Sequence, residues 1–247
     1  MNEVIRQLHE RKSVRVYQDR PIEGDIKQAI LDAALQAPTA GNMALFTILD
    51  ITDPQIKQAL SVSCDNQPFI ATAPMVLIFC ADYRRWYDTF CLYEEDVRKP
   101  DAGDLFLAQA DAIIAAQNAV VAAHSFGIGS CYIGDITENC EYHRQLLQLP
   151  QYVTPAAMLC FGYPTQQQAN REKPPRFATV DLVHENGYNS AKSAAMPRML
   201  SVRQDLSEEE VSGWVRRFCK RKWNSDFSQE MSRSCMETLR FWRGEGE

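Results

Sequence analysis

The feature that most constrains the fold is a long helical pattern from Leu105 to Phe126, rich in alanine and apolar on nearly every side. A helix with so little polar surface must be covered on most sides. Polar residues interrupt the run at Gln109, Asp111, Gln117, Asn118 and His124. The run therefore falls short of the roughly 18 uninterrupted apolar residues of a membrane span. We expect this helix inside a globular fold, with a subunit interface covering part of it.

Shorter helical and extended patterns alternate around this helix. Helical spacing predicts helices at Asn2–Arg11, Ile26–Ala37, Glu141–Leu147, Leu206–Lys222 and Ser228–Trp242. Apolar runs predict strands at Leu45–Ile51, Met75–Ala81, Tyr132–Ile133 and Ala156–Phe161. The run from Met75 is continuous, which is typical of a strand buried on both faces. The alternation predicts an α+β domain with a mixed central sheet flanked by helices.

The character of the chain changes near Ser190. Residues 1–190 hold most of the alternating elements. Residues 191–247 begin with a stretch of small and polar residues, and two predicted helices follow it. The tail is too short to build a good core of its own. We therefore predict a ligand-binding domain at 1–190 and a C-terminal helical extension at 191–247, which packs on the main body or on a partner subunit.

Charge and cysteine usage exclude several classes of protein. The net charge of −6 disfavours a nucleic-acid or anionic-membrane partner. The N-terminus lacks the apolar run of a signal peptide. The eight cysteines show no zinc-like spacing and are expected as free thiols in a reducing cytosol, although a redox-active pair stays open. We expect a cytoplasmic protein without a metal site.

The first candidate binding segment is Arg11-Lys12-Ser13-Val14-Arg15, three cations and a hydroxyl at the end of the first predicted helix. Arginine and lysine are suited to phosphate, arginine through a bidentate fork. A solvated charge run at a helix C-terminus explains the same residues. On this segment alone, the second explanation is favoured.

A glycine-rich segment, Gly127 to Gly134, resembles a dinucleotide-binding loop only superficially. It follows a helix and leads into an extended segment, whereas a Rossmann loop follows a strand and opens a helix. What remains is a backbone that can approach a flat ligand, since Gly134 has no Cβ. The sequence holds no nucleophile elbow, P-loop or H-E-x-x-H pattern. A cofactor is therefore expected to supply the chemistry.

Taken in order, these segments resemble the nitroreductase and flavin reductase family, closest to its oxygen-insensitive NADPH nitroreductase and FMN reductase branch. The resemblance lies in Arg11–Tyr17, Asn66–Ile70, Leu77–Arg84, Ala116–Gly134, Phe161–Pro164, Arg176 and Val183–Tyr188. It spans most of residues 1–190. It implies a nitroreductase-like fold, an intertwined homodimer with its sites at the interface, FMN as cofactor and NAD(P)H as reductant.

The resemblance also assigns residues to the FMN phosphate. Arg11, Lys12 and Ser13 would bind the phosphate and the ribityl chain. Arg176 would return to the phosphate from the turn Lys173-Pro174-Pro175-Arg176. That turn has Pro-Pro-Arg where the branch usually has Lys-Pro-Arg, so Lys173 would have to supply the second cation.

A second group of residues would face the isoalloxazine ring. Arg15 would lie at the pyrimidine edge, where a fixed cation stabilises the negative charge that reduction leaves there. Gln67 would hydrogen-bond the same polar end. Tyr132, Ile133 and Gly134 would lie along the ring, with a backbone N–H near the flavin N5.

Two further assignments concern the partner subunit and the nicotinamide cofactor. Thr39, Gly41 and Asn42 would reach the flavin of the other subunit. In the family branch a basic residue helps to hold the 2′-phosphate of NADPH, and it lies just before the stretch that Phe227–Met231 resembles. Arg221 is the nearest candidate by spacing. A solvated helix face explains Arg221 equally well.

The function that the resemblance implies is hydride transfer from NAD(P)H through FMN to a nitroaromatic, a quinone or free flavin in a ping-pong cycle. No protein side chain is predicted to be catalytic, because the flavin N5 would carry the hydride. Two alternatives stay open. One is a specialised reductase of the same fold, such as a dehalogenase or an enoate reductase. The other is a flavin-binding carrier without turnover.

Overall fold

A computed structural model describes residues 1–245, which divide into two compact units. The first unit comprises Met1–Arg171 together with the chain from Glu230 onward, and the second comprises Glu172–Gln229. The boundary expected near residue 190 falls within the second unit. Which stretch forms the FMN-binding domain stays a prediction.

The first unit is built on a four-stranded sheet. Its strands are β1 (Phe46–Asp50), β2 (Met75–Asp82), β3 (Gly129–Ile133) and β4 (Val153–Gly162), in the order β1-β2-β4-β3. Its helices are α1 (Glu3–Glu10), α2 (Gly24–Leu35), α3 (Pro54–Ser63), α4 (Phe69–Thr72), α5 (Arg84–Tyr93), α6 (Ala102–Ser125), α7 (Cys140–Leu146) and α8 (Gln166–Asn170). Two 3₁₀ turns, Ala40–Asn42 and Gly134–Thr137, follow α2 and β3.

The second unit is helical. It contains α9 (Thr179–Leu182), α10 (Ser190–Ala194), α11 (Met196–Gln204), α12 (Glu208–Lys222) and the start of α13 (Asp226–Arg243), whose residues from Glu230 belong to the first unit. Ser207 begins α12 with a capping box, in which its hydroxyl accepts from the Glu210 N–H and the Glu210 carboxylate accepts from the Ser207 N–H. Such a pair satisfies donors that a helix start otherwise leaves open.

All three ladders of the sheet are antiparallel. Ile78 of β2, for example, lies opposite Leu49 on one side and Met158 on the other. The α+β class is confirmed, but parallel pairing in residues 1–245 is limited to one isolated bridge between Ser13 and Ser130, so the sheet is not mixed in the sense expected. The continuous apolar run of β2 indicated burial on both faces, and every residue of β2 is buried. Helices cover both faces of this antiparallel sheet. Burial of β2 on both faces therefore did not indicate whether its neighbouring strands run parallel or antiparallel to it.

The core lies in two layers, one on each face of the sheet. Alternate residues of β2 point to opposite faces. Leu77 and Phe79 join the alanines of α6 and the buried face of α2, whereas Val76 and Ile78 join residues of α3 and α4. Burying a leucine or phenylalanine side chain stabilises a fold by about 1.5–3 kcal/mol, so these layers fix the position of β3 and β4.

Helix α6 forms as predicted and begins three residues earlier. The Asp101 side chain accepts a hydrogen bond from the Ala102 N–H, and Asp104 accepts from the Asp101 N–H. Within residues 1–245, α6 is the one helix long and apolar enough to span a membrane, contrary to the expectation from its polar interruptions. Its alanine face packs on α2 and on the sheet, as in the core helix of a globular protein.

Candidate functional site

The cationic segment after α1 lies directly against β3. The Val14 N–H donates to the Ser130 carbonyl at 3.0 Å. This approach requires a glycine in β3, because a Cβ on Gly129 would lie 2.5 Å from Cγ2 of Val14. The glycine-rich segment therefore serves close packing of the cationic segment, and residues 11–15 are held beside the strand.

A cleft of about 360 Å³ opens at this junction. Arg11 and Lys12 line it together with Gly129 and Ser130. Lys12 Nζ donates to the carbonyl oxygens of Ala169, at 2.7 Å, and Arg171. These carbonyls hold the lysine ammonium at the cleft without neutralising its charge, since neither is an anion, and Glu10 is the one carboxylate among the described residues that line the cleft. The cleft can therefore receive an anionic group such as a phosphate.

The structure brings further cations to the same place. The Arg15 and Arg11 cations both act on Cys131 of β3, where they oppose the effect of burial, which raises the pKa of that thiol. Arg171, which the sequence did not single out, donates to the carbonyl of Ser13. The guanidinium carbon of Arg11 lies 6.0 Å from the ring centroid of Tyr132. Burial raises the pKa of Tyr132 to about 12, so this phenol stays neutral.

A second part of the site comprises Gln67 and Gly134, which are connected through Asp135. The Gln67 amide nitrogen donates to the Cys64 carbonyl at 2.8 Å and to the Asp135 carboxylate at 3.0 Å. Both amide hydrogens are thereby committed, and the amide oxygen is the atom that can accept from a ligand. A Cβ on Gly134 would meet nothing within 4 Å in the described part of the chain. A flat group can therefore approach the backbone there.

The loop from Thr39 to Asn42, expected to face the partner subunit, is held by a buried carboxylate of α6. Asp111 accepts from the backbone N–H of Ala40 at 3.0 Å and from that of Leu45 at 3.2 Å. Asn42 adopts a φ of 57°, and Gly41 one of 56°. Sequence reasoning treated Asp111 only as an interruption of an apolar helix. An aspartate alone among alanines was the signal that could have found it.

The remaining predicted site residues lie in the second unit. Arg176 is exposed and donates to the Pro174 carbonyl at 2.9 Å. The Arg221 guanidinium lies 5.6 Å from the ring centroid of Phe218 on α12. Lys173 precedes the same turn as Arg176 and is partly buried. Their assignment to phosphate groups stays a prediction.

A buried carboxyl group adjoins the turn after β3 and was missed from sequence. Glu138 ends the 3₁₀ turn, is 6% exposed, and its Oε1 has no hydrogen-bond partner among residues 1–245. Burial and the nearby carboxylates of Asp135, Asp65 and Glu230 raise its pKa to about 7. The described residues hold no cluster of histidine, cysteine and carboxylate groups suited to a metal ion.

The donor set fits FMN. Arg11 and Lys12 line a cleft suited to its phosphate, and the Arg15 cation acts on Cys131 of the adjoining strand. The Gln67 oxygen can accept from a ring N–H, and a Cβ at Gly134 would meet nothing within 4 Å among the described residues. When bound, FMN supplies the two-electron chemistry that no side-chain constellation here provides. The protein then contributes binding, orientation and charge.

Comparison with known proteins gives one answer. Residues 8–163 match the profile of the nitroreductase family. The oxygen-insensitive NADPH nitroreductase of Salmonella typhimurium is 32% identical over 198 residues, 80% of either chain, and an FMN reductase (NAD(P)H) of Bacillus subtilis is 33% identical over 190 residues, 76% of this chain and 75% of its own. The structure of the NADPH:FMN oxidoreductase of Vibrio harveyi complexed with NAD+ aligns at a TM-score of 0.76 and 25% identity, covering 96% of this chain and 98% of its own. The chain belongs to the nitroreductase family.

Proposed function

We propose that this protein is an FMN-dependent oxidoreductase that uses NAD(P)H to reduce a small acceptor, such as a nitroaromatic, a quinone or free flavin. The observation that carries the proposal is the junction of residues 11–15 with β3, where a cleft lined by Arg11 and Lys12 lies at the Gly129 end of the strand and the open backbone of Gly134 follows the other end. The relatives are named as NADPH nitroreductase and FMN reductase, which supports the same chemistry.

The residues of this junction divide the work of holding FMN. Arg11, Lys12 and Ser13 bind the phosphate and ribityl chain, because charged hydrogen bonds to phosphate are among the strong ones. Arg15 and Gln67 face the pyrimidine end of the ring. A cation placed there favours the reduced form over the oxidised form, since only the former carries the added charge.

Residues of the second unit complete the proposal. Arg176 and Lys173 return to the FMN phosphate, and Arg221 binds the 2′-phosphate of NADPH. Each side chain is a cation suited to phosphate, and the resemblance to the family supports their positions. The ping-pong cycle follows from one cofactor serving NAD(P)H and the acceptor in turn.

We propose further that the protein is a cytoplasmic homodimer. In the first unit, α6 exposes a row of large apolar side chains, with Phe106 68% exposed, Ile113 47% and Ile114 41%. Apolar surface of this extent is typical of an interaction site. A two-fold axis that packs α6 on its copy covers this surface and allows Thr39–Asn42 to reach the partner's flavin. In the same arrangement residues 191–229 embrace the partner, whereas the chain from Glu230 packs on its own first unit.

Two measurements test the proposed activity. The purified protein should be yellow, and NADH or NADPH should bleach it in the absence of oxygen. Stopped-flow mixing of the bleached protein with a panel of nitroaromatics, quinones and free FMN should restore the colour. A colourless protein that takes up no added FMN contradicts the proposal, a yellow protein that NAD(P)H cannot bleach indicates a flavin carrier, and oxidation by halogenated or enoate compounds alone indicates a specialised reductase.

A binding measurement tests the residue assignment. Arg11→Ala or Arg176→Ala should weaken FMN binding about tenfold to a hundredfold, because each loses a charged hydrogen bond worth about 1.5–3 kcal/mol. Arg6→Ala is the control, since Arg6 lies on α1, which Arg11 directly follows, and forms exposed ion pairs with Glu3 and Glu10. Affinity should be measured by fluorescence titration of the apoprotein. Equal affinities in Arg11→Ala and Arg6→Ala would remove Arg11 from the phosphate site.

A further inference from the structure

The turn after β3 places a buried carboxyl group close to the proposed ring site. Glu138 directly follows the 3₁₀ turn Gly134–Thr137, and its N–H donates to the Asp135 carbonyl at 3.0 Å. Its side chain is 6% exposed, and its Oε1 has no hydrogen-bond partner within residues 1–245. A buried carboxylate is normally hydrogen-bonded or paired, because burying an unpaired charge is costly. Glu138 therefore favours its neutral, protonated form.

The groups that act on Glu138 are all negative. Asp135 lies in its own turn, Asp65 in the loop after α3, and Glu230 on α13. His143 of α7 contacts the Ser63 hydroxyl at 2.8 Å and the Ile136 carbonyl at 3.0 Å, and burial lowers its pKa, so it adds no positive charge. Arg233 of α13 pairs with Glu230 and Glu141. Burial and the three carboxylates raise the pKa of Glu138 to about 7.

Asp135 connects the backbone of Glu138 to the ring site, whereas the Glu138 carboxyl group interacts with its neighbours only through space. The Asp135 carboxylate accepts from the Gln67 amide at 3.0 Å, and Gln67 is proposed to contact the pyrimidine end of FMN. Gly134, along which the ring is proposed to lie, begins the turn that Glu138 ends. Charge added to the cofactor is therefore added one turn away from Glu138.

We propose that Glu138 stores a proton, taking one from solvent each time the bound FMN is reduced and releasing it on reoxidation. The inference rests on the proposed function. The carboxylate gains one O–H bond as two electrons enter the cofactor from NAD(P)H, and it loses that bond to solvent as the electrons leave for the acceptor. No bond forms between Glu138 and the cofactor.

The physical reason is the interaction of like charges in a poorly solvated site. Negative charge added beside a carboxylate disfavours its ionised form. The effect is stronger for buried groups, because water and salt screen them less. Arg15 is exposed, so water and salt screen its charge more strongly. Once Glu138 has taken up a proton it is neutral, and its charge no longer opposes reduction of the cofactor.

The pH range of the effect follows from the oxidised protein. Near pH 7 Glu138 is about half protonated before any electron enters, because its pKa is about 7. At about pH 5.5, well below this pKa, Glu138 already carries its proton and cannot take up another. Above it, at about pH 8, it is ionised when the cofactor is oxidised and gains a proton on reduction.

A spectroelectrochemical titration of the FMN-loaded protein over this pH range measures the protons bound per two electrons. The wild type should bind about one proton more than Glu138→Gln at about pH 8 and the same number at about pH 5.5. Glu95→Gln is the matched control, since Glu95 is exposed, and it should behave as the wild type. If the wild type and Glu138→Gln bind equal numbers of protons at every pH while FMN is bound and reducible, the inference about Glu138 is wrong and the proposed function is unaffected.

Infrared difference spectroscopy gives a second readout that needs no folded variant. Reduction of the FMN-loaded wild type at about pH 8 should produce the carbonyl absorption of a buried protonated carboxyl group, and the change should vanish at about pH 5.5. Absence of this band at pH 8 overturns the inference. A chain that binds no FMN overturns the proposed function, and with it this inference.

Discussion

Gly129 lies where the cationic segment and β3 come closest together. Gly129→Ala would place a methyl group 2.5 Å from Cγ2 and 2.7 Å from Cβ of Val14. Because overpacking a well-packed site costs about 1–3 kcal/mol, we expect that loss of unfolding free energy and weaker FMN binding. Urea denaturation and FMN titration measure the two effects.

The control for this substitution lies in α6. Gly103→Ala adds the same methyl group where no atom of residues 1–245 lies within 4 Å, and alanine in a helix is favoured over glycine by about 0.5–1 kcal/mol. Gly103→Ala should therefore be neutral or stabilising. If Gly129→Ala is as stable as Gly103→Ala, the close approach of Val14 does not constrain this position.

Glu138 links stability to pH. Its folded pKa of about 7 exceeds the ordinary value of 4.5, so the folded state binds its proton more tightly than the unfolded state does. The stability of the fold should therefore fall as pH rises from about 4.5 through 7, the range in which only the unfolded state is ionised. Glu138→Gln should remove this loss.

The expected gain for Glu138→Gln at about pH 8 is on the order of 1–2 kcal/mol, with no gain near pH 4.5. Urea denaturation of the apoprotein at both pH values measures it, with exposed Glu95→Gln as control. Equal stability of wild type and Glu138→Gln at pH 8 would show that the folded protein tolerates the ionised carboxylate.

At the scale of elements, the end of α13 is anchored in the core of the first unit. Trp242 is 1% exposed, and its ring meets that of Tyr152 edge-on at 5.8 Å between centroids. Its indole N–H has no partner in the described chain. Trp242→Ala should cost about 3–5 kcal/mol, the usual range for removing a buried aromatic side chain.

Trp242→Phe separates packing from polarity at the same position. Phenylalanine keeps most of the apolar contact and removes the unsatisfied N–H, so the loss should stay below about 1.5 kcal/mol. Denaturant unfolding of both variants measures the difference. A phenylalanine variant as unstable as the alanine variant would show that the indole nitrogen is in fact satisfied.

Sequence patterns predicted the elements with buried apolar faces and failed elsewhere. The predicted strands and long helices are present within a few residues of their bounds, because periodic burial produces periodic sequence. Helix α5 was overlooked, although its apolar residues recur at helical spacing and Trp86 and Tyr87 pack partly buried against a core cluster. Helix α3 did leave a start signal, since Asp53 caps it and Pro54 opens it, and that signal was overlooked.

Some residues of the site could also be predicted from sequence, whereas others could not. The cations of residues 11–15 and the open backbone at Gly134 could be predicted, because residue type alone determines what they can bind. The contributions of Asp111, Arg171 and Glu138 could not, because each depends on a tertiary contact. Asp111 matters through loop N–H groups 66 to 71 residues away in the chain. Glu138 matters through burial, which its own sequence neighbours do not indicate.

At the scale of the whole molecule, the exposed face of α6 determines the expected assembly. Phe106, Ile113 and Ile114 are exposed on a helix whose other face is buried. An obligate interface of this kind should bury more than ~2,000 Å² and be largely apolar. We expect a dimer by light scattering at low micromolar protein. Ile113→Asp, which introduces a charge into the apolar face, should yield monomers.

Loss of the dimer should also release FMN, because Thr39, Gly41 and Asn42 are proposed to reach the flavin of the partner subunit. Ile113→Asp should therefore lose its yellow colour on gel filtration while keeping its helical circular dichroism. Val62→Asp is the control, since Val62 is 55% exposed on α3, away from α6 in the chain. A monomeric Ile113→Asp that keeps its flavin would show that each subunit holds FMN by itself, and the shared site would then be wrong even if the wild type is a dimer.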